Sequence, residues 1–281
     1  MVLYTHKKDL KNALDSFRGD EKIGFVPTMG ALHKGHLSLV EKALDENDVV
    51  VVSIFVNPTQ FNNAEDLKKY PRTLNEDCEL LKSLNKNILV YAPEISDIYE
   101  DKVAAKNYDY GGLENEMEGK HRKGHFNGVG TILNSLFRII EPDFAYLGEK
   151  DFQQLQIVKQ LVEIEKLPVT IIGCPIVREE NGLAMSSRNK RLSPQLFEEA
   201  SIIYKILTEV RRHFKEKTLE ELNQMVTERF LSTPNLNLEY FEIADEKTLK
   251  SASSKSEDAK YRAFVAVFAG DVRLIDNMPL N

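Results

Sequence analysis

What is scarce in this chain bounds it first. Cysteine occurs twice in 281 residues, at Cys78 and Cys174. Two isolated cysteines make neither a disulfide framework nor a thiolate zinc site, so each reads as a small core residue in a reducing compartment. No apolar run approaches the ~20 residues that a membrane helix needs, and residues 1–7 lack the apolar core of a signal peptide. The expectation is a cytoplasmic protein with no membrane partner. Positive charge is in deficit, 37 Lys and Arg against 44 Asp and Glu, for a net charge of −7. That balance argues against a broad nucleic-acid surface and permits only a local basic pocket. No internal repeat is evident, and the serine-rich run 251–258 is the one low-complexity stretch, with no packing pattern of its own. With 42% hydrophobic and 29% charged residues, the chain is of ordinary globular composition, enough for one large or two ordinary domains.

Along about the first 175 residues, short apolar strands alternate with amphipathic helices, the pattern of a parallel sheet covered on both faces. Strands are expected at 22–26, 49–55, 88–91, 144–147 and 169–172. One helix is expected from near Gly35, with Leu37, Val40 and Leu44 on one face. A second places Val129, Ile132, Leu133, Leu136, Phe137 and Ile140 on one face, and a third starts at Asp151 with Phe152, Leu155, Val158 and Leu161 inward. After Arg178 the pattern becomes helices at 194–213 and 219–231, then strands near 236–243, 261–268 and 272–275, with a hairpin turn at Ala269-Gly270-Asp271. The fold class implied is α/β. Residues 1–177 form a Rossmann-like doubly wound parallel sheet, and 178–281 a smaller α+β domain.

In such sheets ligands bind beyond the carboxyl ends of the strands, so the strand-to-helix connections carry the chemistry. In Val26-Pro27-Thr28-Met29-Gly30-Ala31-Leu32-His33-Lys34-Gly35-His36, Pro27 and Gly30 break an apolar strand and two imidazoles around a glycine open a helix. A lone histidine beside a turn is usually just a satisfied polar group. A pair at a helix N-terminus, where unpaired N–H groups and the dipole favour an anion, points to a phosphate site. In Asn57-Pro58-Thr59-Gln60-Phe61 the proline ends a strand and leaves an amide able to donate to a carboxylate and accept from a hydroxyl; the bland alternative is a turn with a surface glutamine. Thr73 with Glu76 forms a capping box at a helix start. The loop Gly119-Lys120-His121-Arg122-Lys123-Gly124-His125-Phe126 gathers cations and histidines and is either a solvated face or a ligand loop. In Gly148-Glu149-Lys150-Asp151, Gly148 allows close backbone approach and Asp151 can cap a helix. Lys150, a cation where the dipole disfavours one, calls for an anion nearby. In Met185-Ser186-Ser187-Arg188-Asn189, two hydroxyls and a guanidinium on a mobile loop suit a departing pyrophosphate.

The His-x-Gly-His signature resembles the superfamily of class I aminoacyl-tRNA synthetases and nucleotidylyltransferases. The longer string Pro-Thr-Met-Gly-Ala-Leu-His-x-Gly-His, followed by Asn-Pro-x-Gln-Phe, Arg-Thr-Leu-x-x-Asp, Gly-x-Lys-Asp-x-x-Gln and Met-Ser-Ser-Arg-Asn, is similar to the pantothenate synthetase (pantoate–β-alanine ligase) family, over about residues 23–191. The resemblance implies ATP-dependent joining of pantoate to β-alanine through a pantoyl adenylate, giving pantothenate, AMP and pyrophosphate, with Mg²⁺, in a homodimer. It implies His36, His33, Lys150 and Arg188 as the catalytic set. ATP contacts would come from these and from Met29, Gly30, Ala31, Leu32, Lys34, Gly35, Gly148, Glu149, Asp151, Val177, Met185, Ser186 and Ser187. Pantoate and β-alanine would meet Pro27, Met29, Asn57, Gln60, Arg122, His125 and Gln154, with Asp77 near the metal. Lys123 stands where many relatives carry proline, which implies a more mobile loop, and it receives no role. The competing readings are another adenylyl- or cytidylyltransferase and a non-catalytic nucleotide-binding module. A tRNA-charging enzyme is disfavoured because the C-terminal region shows no clear basic face.

Overall fold

A computed structural model describes residues 1–19, 21–84, 86–99 and 102–281. Two compact units emerge, one comprising Met1–Glu114, Glu118–Glu149 and Gln154–Pro175, the other Asn115–Met117, Lys150–Gln153 and Ile176–Asn281.

The first unit is built on six parallel strands: β1 (Val2–Tyr4), β2 (Ile23–Thr28), β3 (Val49–Ile54), β4 (Ile88–Tyr91), β5 (Phe144–Gly148) and β6 (Thr170–Cys174), in the order β1-β4-β3-β2-β5-β6. The connecting helices are α1 (Lys7–Leu14), α2 (Lys34–Glu46), α3 (Ala64–Lys69), α4 (Leu74–Lys82), α5 (Ile95–Ile98), α6 (Met117–His121), α7 (His125–Ile140) and α8 (Phe152–Glu165). Val49, Val50, Val51 and Val52 of β3 are all buried, as a strand covered on both faces requires. Leu39, Val40 and Ala43 of α2 join Val26, Val50, Val52 and Val90 in one core cluster.

The strand order reverses between β2 and β5, the position where open α/β sheets hold ligands. Pairing of β2 with β3 runs through all six residues, but pairing of β2 with β5 is confined to Gly24↔Phe144 and Phe25↔Ala145. The strands therefore part toward their carboxyl ends. Pro27 does not end β2, contrary to expectation. It lies past the last residue that β5 pairs, where its missing N–H breaks no ladder, and the strand continues to Thr28.

The second unit packs α9 (Pro194–Glu199), α10 (Ile202–His213) and α11 (Leu219–Leu231) on an antiparallel sheet ordered β7 (Leu236–Asp245), β8 (Tyr261–Ala269) and β9 (Val272–Pro279). Ile203, Leu207, Val226, Phe230, Val265 and Leu274 belong to its core. The fold is the α/β doubly wound sheet with a small C-terminal α+β region that the sequence implies.

Three local expectations are revised. β1 adds to the expected strands: three residues, half exposed at Val2, carry no periodic signal. The single helix expected over 194–213 is two, because Ser201 N–H turns to Glu198 O (3.1 Å) and Ile203 N–H to Ala200 O (3.1 Å), three residues back instead of four. Thr73 makes no side-chain cap bond; its hydroxyl goes to Asp77 Oδ1 at 3.2 Å, so no capping box forms there. The run 251–258 is exposed except at half-buried Ala252, as its lack of a packing pattern implies, and is tied down where Ser254 O accepts from the Tyr261 hydroxyl (3.1 Å) and Ser256 N–H donates to it (2.9 Å).

Candidate active site

After β2 the chain passes through two left-handed residues, Gly30 (φ 79°) and Ala31 (φ 51°). Successive N–H groups in such a bend converge into an anion-binding concavity. Asp77 of α4 fills it: Ala31 N–H donates to Oδ2 (2.9 Å) and Leu32 N–H to Oδ1 (2.7 Å). A Cβ on Gly30 would sit 3.0 Å from Asp77 Oδ2 and 3.0 Å from Ile54 Cγ2, so glycine is needed there for space as well as for φ. Gly30 N–H is held separately by Thr28 Oγ1 at 3.1 Å. The loop adjoins a pocket of about 770 Å³ whose walls include Met29, Gly30, Phe55, Arg72, Asp77 and Tyr99.

The clamped loop delivers His33 to the N-cap of α2, where its Nδ1 accepts from Gly35 N–H at 3.1 Å. An imidazole nitrogen that accepts carries no proton, so this bond assigns the tautomer in which Nε2–H is the donor. The His36 ring lies beside it, centroids 4.0 Å apart and planes inclined 36°. Two imidazoles thus stand at the amino end of a thirteen-residue helix, with Lys34 exposed and Gly35 half-buried.

A second cluster forms around Gln60. Its Nε2 donates to Met29 Sδ (3.2 Å), its Oε1 accepts from Asn57 Nδ2 (3.1 Å), and its carbonyl meets His125 Nδ1 (2.8 Å). Met29, Asn57, Gln60 and His125 come from three separated motifs, and the fold brings them together. The thioether is a weak acceptor, so the Gln60 N–H can be taken over by a better oxygen. Asn57 is 1% exposed. Its Nδ2 also donates to Gly128 O (3.1 Å), and its Oδ1 accepts from the Tyr99 hydroxyl (2.7 Å) and Thr59 Oγ1 (3.0 Å). Asn57 is expected to contact substrate, and its amide also braces Gln60. Pro27 is half-buried on β2. Arg122 pairs with Glu118 at 3.4 Å, and Gln154 is half-buried on α8.

Tyr99 and Gly128 escaped the sequence reading. An interior helix glycine often marks a close approach, and that signal was available at Gly128: a Cβ there would lie 2.3 Å from Thr59 O.

In the second unit, Lys150 occupies a short 3₁₀ turn, Glu149–Asp151, ahead of α8, with Nζ 3.6 Å from Asp151 Oδ2. The anion demanded by a cation at that position is thus partly Asp151 itself. Gly148 ends β5, paired with Cys174. The serine motif caps a second 3₁₀ turn, Ser187–Arg191, where Ser186 Oγ accepts from Arg188 N–H at 3.3 Å and Ser187 is buried. Beneath it, Met185 N–H bonds Val177 O (3.0 Å), and Arg178 meets Asp276 through both guanidinium nitrogens (2.7 and 3.0 Å).

The family described as pantoate-beta-alanine ligase matches residues 2–279. The chain belongs to the pantoate–β-alanine ligase family. It is 55% identical to a pantothenate synthetase of Flavobacterium psychrophilum over the whole of both chains. The crystal structure of a pantothenate synthetase from Thermus thermophilus matches with a TM-score of 0.92 at 39% identity, covering 100% of this chain and 99% of that one. A ligase from Francisella tularensis, solved with beta-gamma ATP and beta-alanine, matches with a TM-score of 0.84 at 42% identity, covering 100% and 98%. Membership makes the chain a ligase of the pantothenate pathway. Among the described residues, no group of three or more His, Cys, Asp or Glu is arranged to hold a metal ion.

Proposed function

We propose that the chain joins pantoate to β-alanine at the expense of ATP, through a pantoyl adenylate. The observation that carries this reading is the meeting of Met29, Asn57, Gln60 and His125 in one hydrogen-bonded cluster, with Met29 on the loop that runs from β2 to the two histidines. Such a cluster suits a small hydroxy acid, because a neutral amide donates to a carboxylate and accepts from a hydroxyl.

In the first step a pantoate carboxylate oxygen attacks the α-phosphorus of ATP, the O–P bond forms, and the bond to the pyrophosphate oxygen breaks. No protein nucleophile is required. His33 and His36 donate to phosphate oxygens at the amino end of α2, where the helix dipole also favours anions. Lys150, Ser186, Ser187 and Arg188 stabilise the charge that builds on pyrophosphate. Met29–Gly35, Gly148, Glu149, Asp151, Val177 and Met185 complete the nucleotide contacts, while Gln60 and Gln154 orient pantoate beside Pro27 and Met29. In the second step the β-alanine amine attacks the acyl carbon, the C–O bond to AMP breaks, and the amine loses a proton. Arg122 and His125 serve this end of the site.

Mg²⁺ supplies compensating charge on the triphosphate. A carboxylate has about four lone-pair directions, and three of those on Asp77 are taken by Ala31 N–H, Leu32 N–H and Thr73 Oγ1. The residues therefore fit a metal held mainly by phosphate oxygens and water, with at most one direction from Asp77.

We further propose a homodimer in the cytoplasm and a division into domains at 177/178. The family resemblance supports the dimer. Among the described residues no helix is long and apolar enough to cross a membrane.

The test is release of pyrophosphate and AMP from ATP and Mg²⁺ with pantoate, with and without β-alanine. Pantoate-dependent pyrophosphate, with sustained AMP turnover only when β-alanine is present, is expected; a folded protein releasing none with pantoate refutes the proposal. His36→Ala is expected to lower the pantoate-dependent rate about 10²–10³-fold with the fold retained.

A further inference from the structure

The turn carrying Lys150 is fastened by the C-terminal sheet. Asn277 of β9, 2% exposed, donates from Nδ2 to Lys150 O at 2.9 Å. Its Oδ1 accepts from Arg262 Nη1 of β8 at 2.6 Å. A guanidinium has donors and no acceptor, so it fixes the orientation of the amide: the oxygen faces Arg262 and the NH₂ must face the Lys150 carbonyl. Arg262 is itself 5% exposed, held by Glu246 Oε1 at 2.8 Å, and stacked 3.9 Å over the ring of Phe152, two residues beyond Lys150. Phe264 packs on the same ring with centroids 6.0 Å apart. Two neighbouring strands thus grip the turn at residue 150 through its carbonyl and at residue 152 through its ring. A buried and fully partnered amide of this kind costs much to misplace, because each group left unsatisfied loses its solvation without return.

We propose that Asn277 is a positioning residue for adenylate formation, setting the backbone from which Lys150 reaches the phosphates. The inference rests on the role given to Lys150 under Proposed function. It makes β8 and β9 part of the catalytic machinery, although none of their residues belongs to a recognisable nucleotide motif. The amide acts mainly on rate: Gln60 and its partners are braced within the other unit, and of the residues given to pantoate only Gln154 lies on the helix that the turn leads into.

The variant that tests this is Asn277→Asp. It keeps the volume and the acceptor for Arg262 but turns an oxygen toward the Lys150 carbonyl. The measurement is the single-turnover rate of pantoate-dependent pyrophosphate release in four proteins: wild type, Asn277→Asp, Lys150→Ala and the double variant. Circular dichroism and the thermal midpoint serve as checks on folding. Asn277→Asp alone is expected to slow release by about 10- to 100-fold, as a misplacement near 1 Å does, with a much smaller change in the KM for pantoate. Added to Lys150→Ala, it is expected to slow release less than about twofold further, because a group acting through Lys150 has nothing left to act on. Multiplicative losses in the double variant, or an unaffected rate in Asn277→Asp, would overturn the proposal. If Lys150→Ala itself leaves the rate intact, the failure lies with the role of Lys150, a separate result. Should Asn277→Asp not fold, Asn277→Ala enters the same four-way comparison and is read identically.

Discussion

Around Gln60 the bracing reaches the functional side chain itself, with Asn57 Nδ2 on its Oε1 at 3.1 Å and Met29 Sδ on its Nε2 at 3.2 Å. Around Lys150 the Asn277 bond stops at the main chain, taking the carbonyl at 2.9 Å, and the four-carbon stem extends beyond it. The difference follows from what each group has to do. A neutral amide works only if its N–H and C=O point the right way, so its rotamer must be fixed in advance. An ammonium is a compact charge with three rotatable donors and acts over a range of positions, so fixing its root is enough and leaves it free to follow a phosphate that moves. One asparagine with its amide fully spent stands behind each, but at a different distance from the chemistry.

The strongest way to break this comparison is at Asn57. Asn57→Ala removes the side-chain donor to Gly128 O and the acceptor nearest the Tyr99 hydroxyl, which keeps only Thr59 Oγ1 at 3.2 Å, at about 1–3 kcal/mol in all, and frees the Gln60 rotamer. The expected result is a fall of about 10²-fold in kcat/KM for pantoate together with a lower thermal midpoint. ATP binding, followed by equilibrium titration, should be nearly unchanged. Equal losses for both substrates would mean that Asn57 supports the whole unit and does not single out Gln60.

The same contrast explains what could be read in advance. The helices α2, α7 and α11 and the strands β2 to β6 of the parallel sheet announce themselves by their local apolar pattern, and the phosphate, amide and serine motifs by the chemistry of neighbouring residues. The braces do not. Asp77 and the amides it holds are 46 and 45 residues apart in sequence, and Asn277 lies 127 residues from Lys150. Only the fold creates these pairs. Thr73 shows the cost of local reasoning: the expected capping box is locally sound, yet the hydroxyl is claimed by Asp77, which the long-range clamp on the loop after β2 has already fixed in place. Likewise Pro27 reads as a strand breaker until the early parting of β2 and β5 makes its missing N–H harmless.

A milder change sharpens the comparison from the backbone side. Gly128→Ala places a Cβ 2.3 Å from Thr59 O and 2.7 Å from Gln60 Cα, so either the segment 58–60 or α7 must shift. Overpacking of this kind costs about 1–3 kcal/mol. Because Asn57 remains, the amide contacts survive while their origin moves. The KM for pantoate is expected to rise about tenfold with little change in kcat, in initial-rate kinetics at saturating ATP and β-alanine. A loss confined to kcat would indicate that α7 bears on the phosphates instead.

The smallest expected effect concerns the end of the sheet that leads into Lys150. Cys174 closes β6 opposite Gly148 and is 3% exposed, and burial pushes its thiol from 9.0 up to about 11. Lys42 pulls the other way, while Glu46 and Glu149 add to the rise. The native state then keeps a proton that the unfolded chain releases, so this contribution to stability is fully present below pH 9 and is lost as pH climbs through about 11. A rise of that size bounds the contribution at about 2–3 kcal/mol. Urea titrations between pH 8 and 11 should show stability falling more steeply in the wild type than in Cys174→Ala. Turnover near neutral pH is expected to be the same in both, since a protonated buried thiol is inert. Parallel slopes would mean that water reaches this end of the sheet.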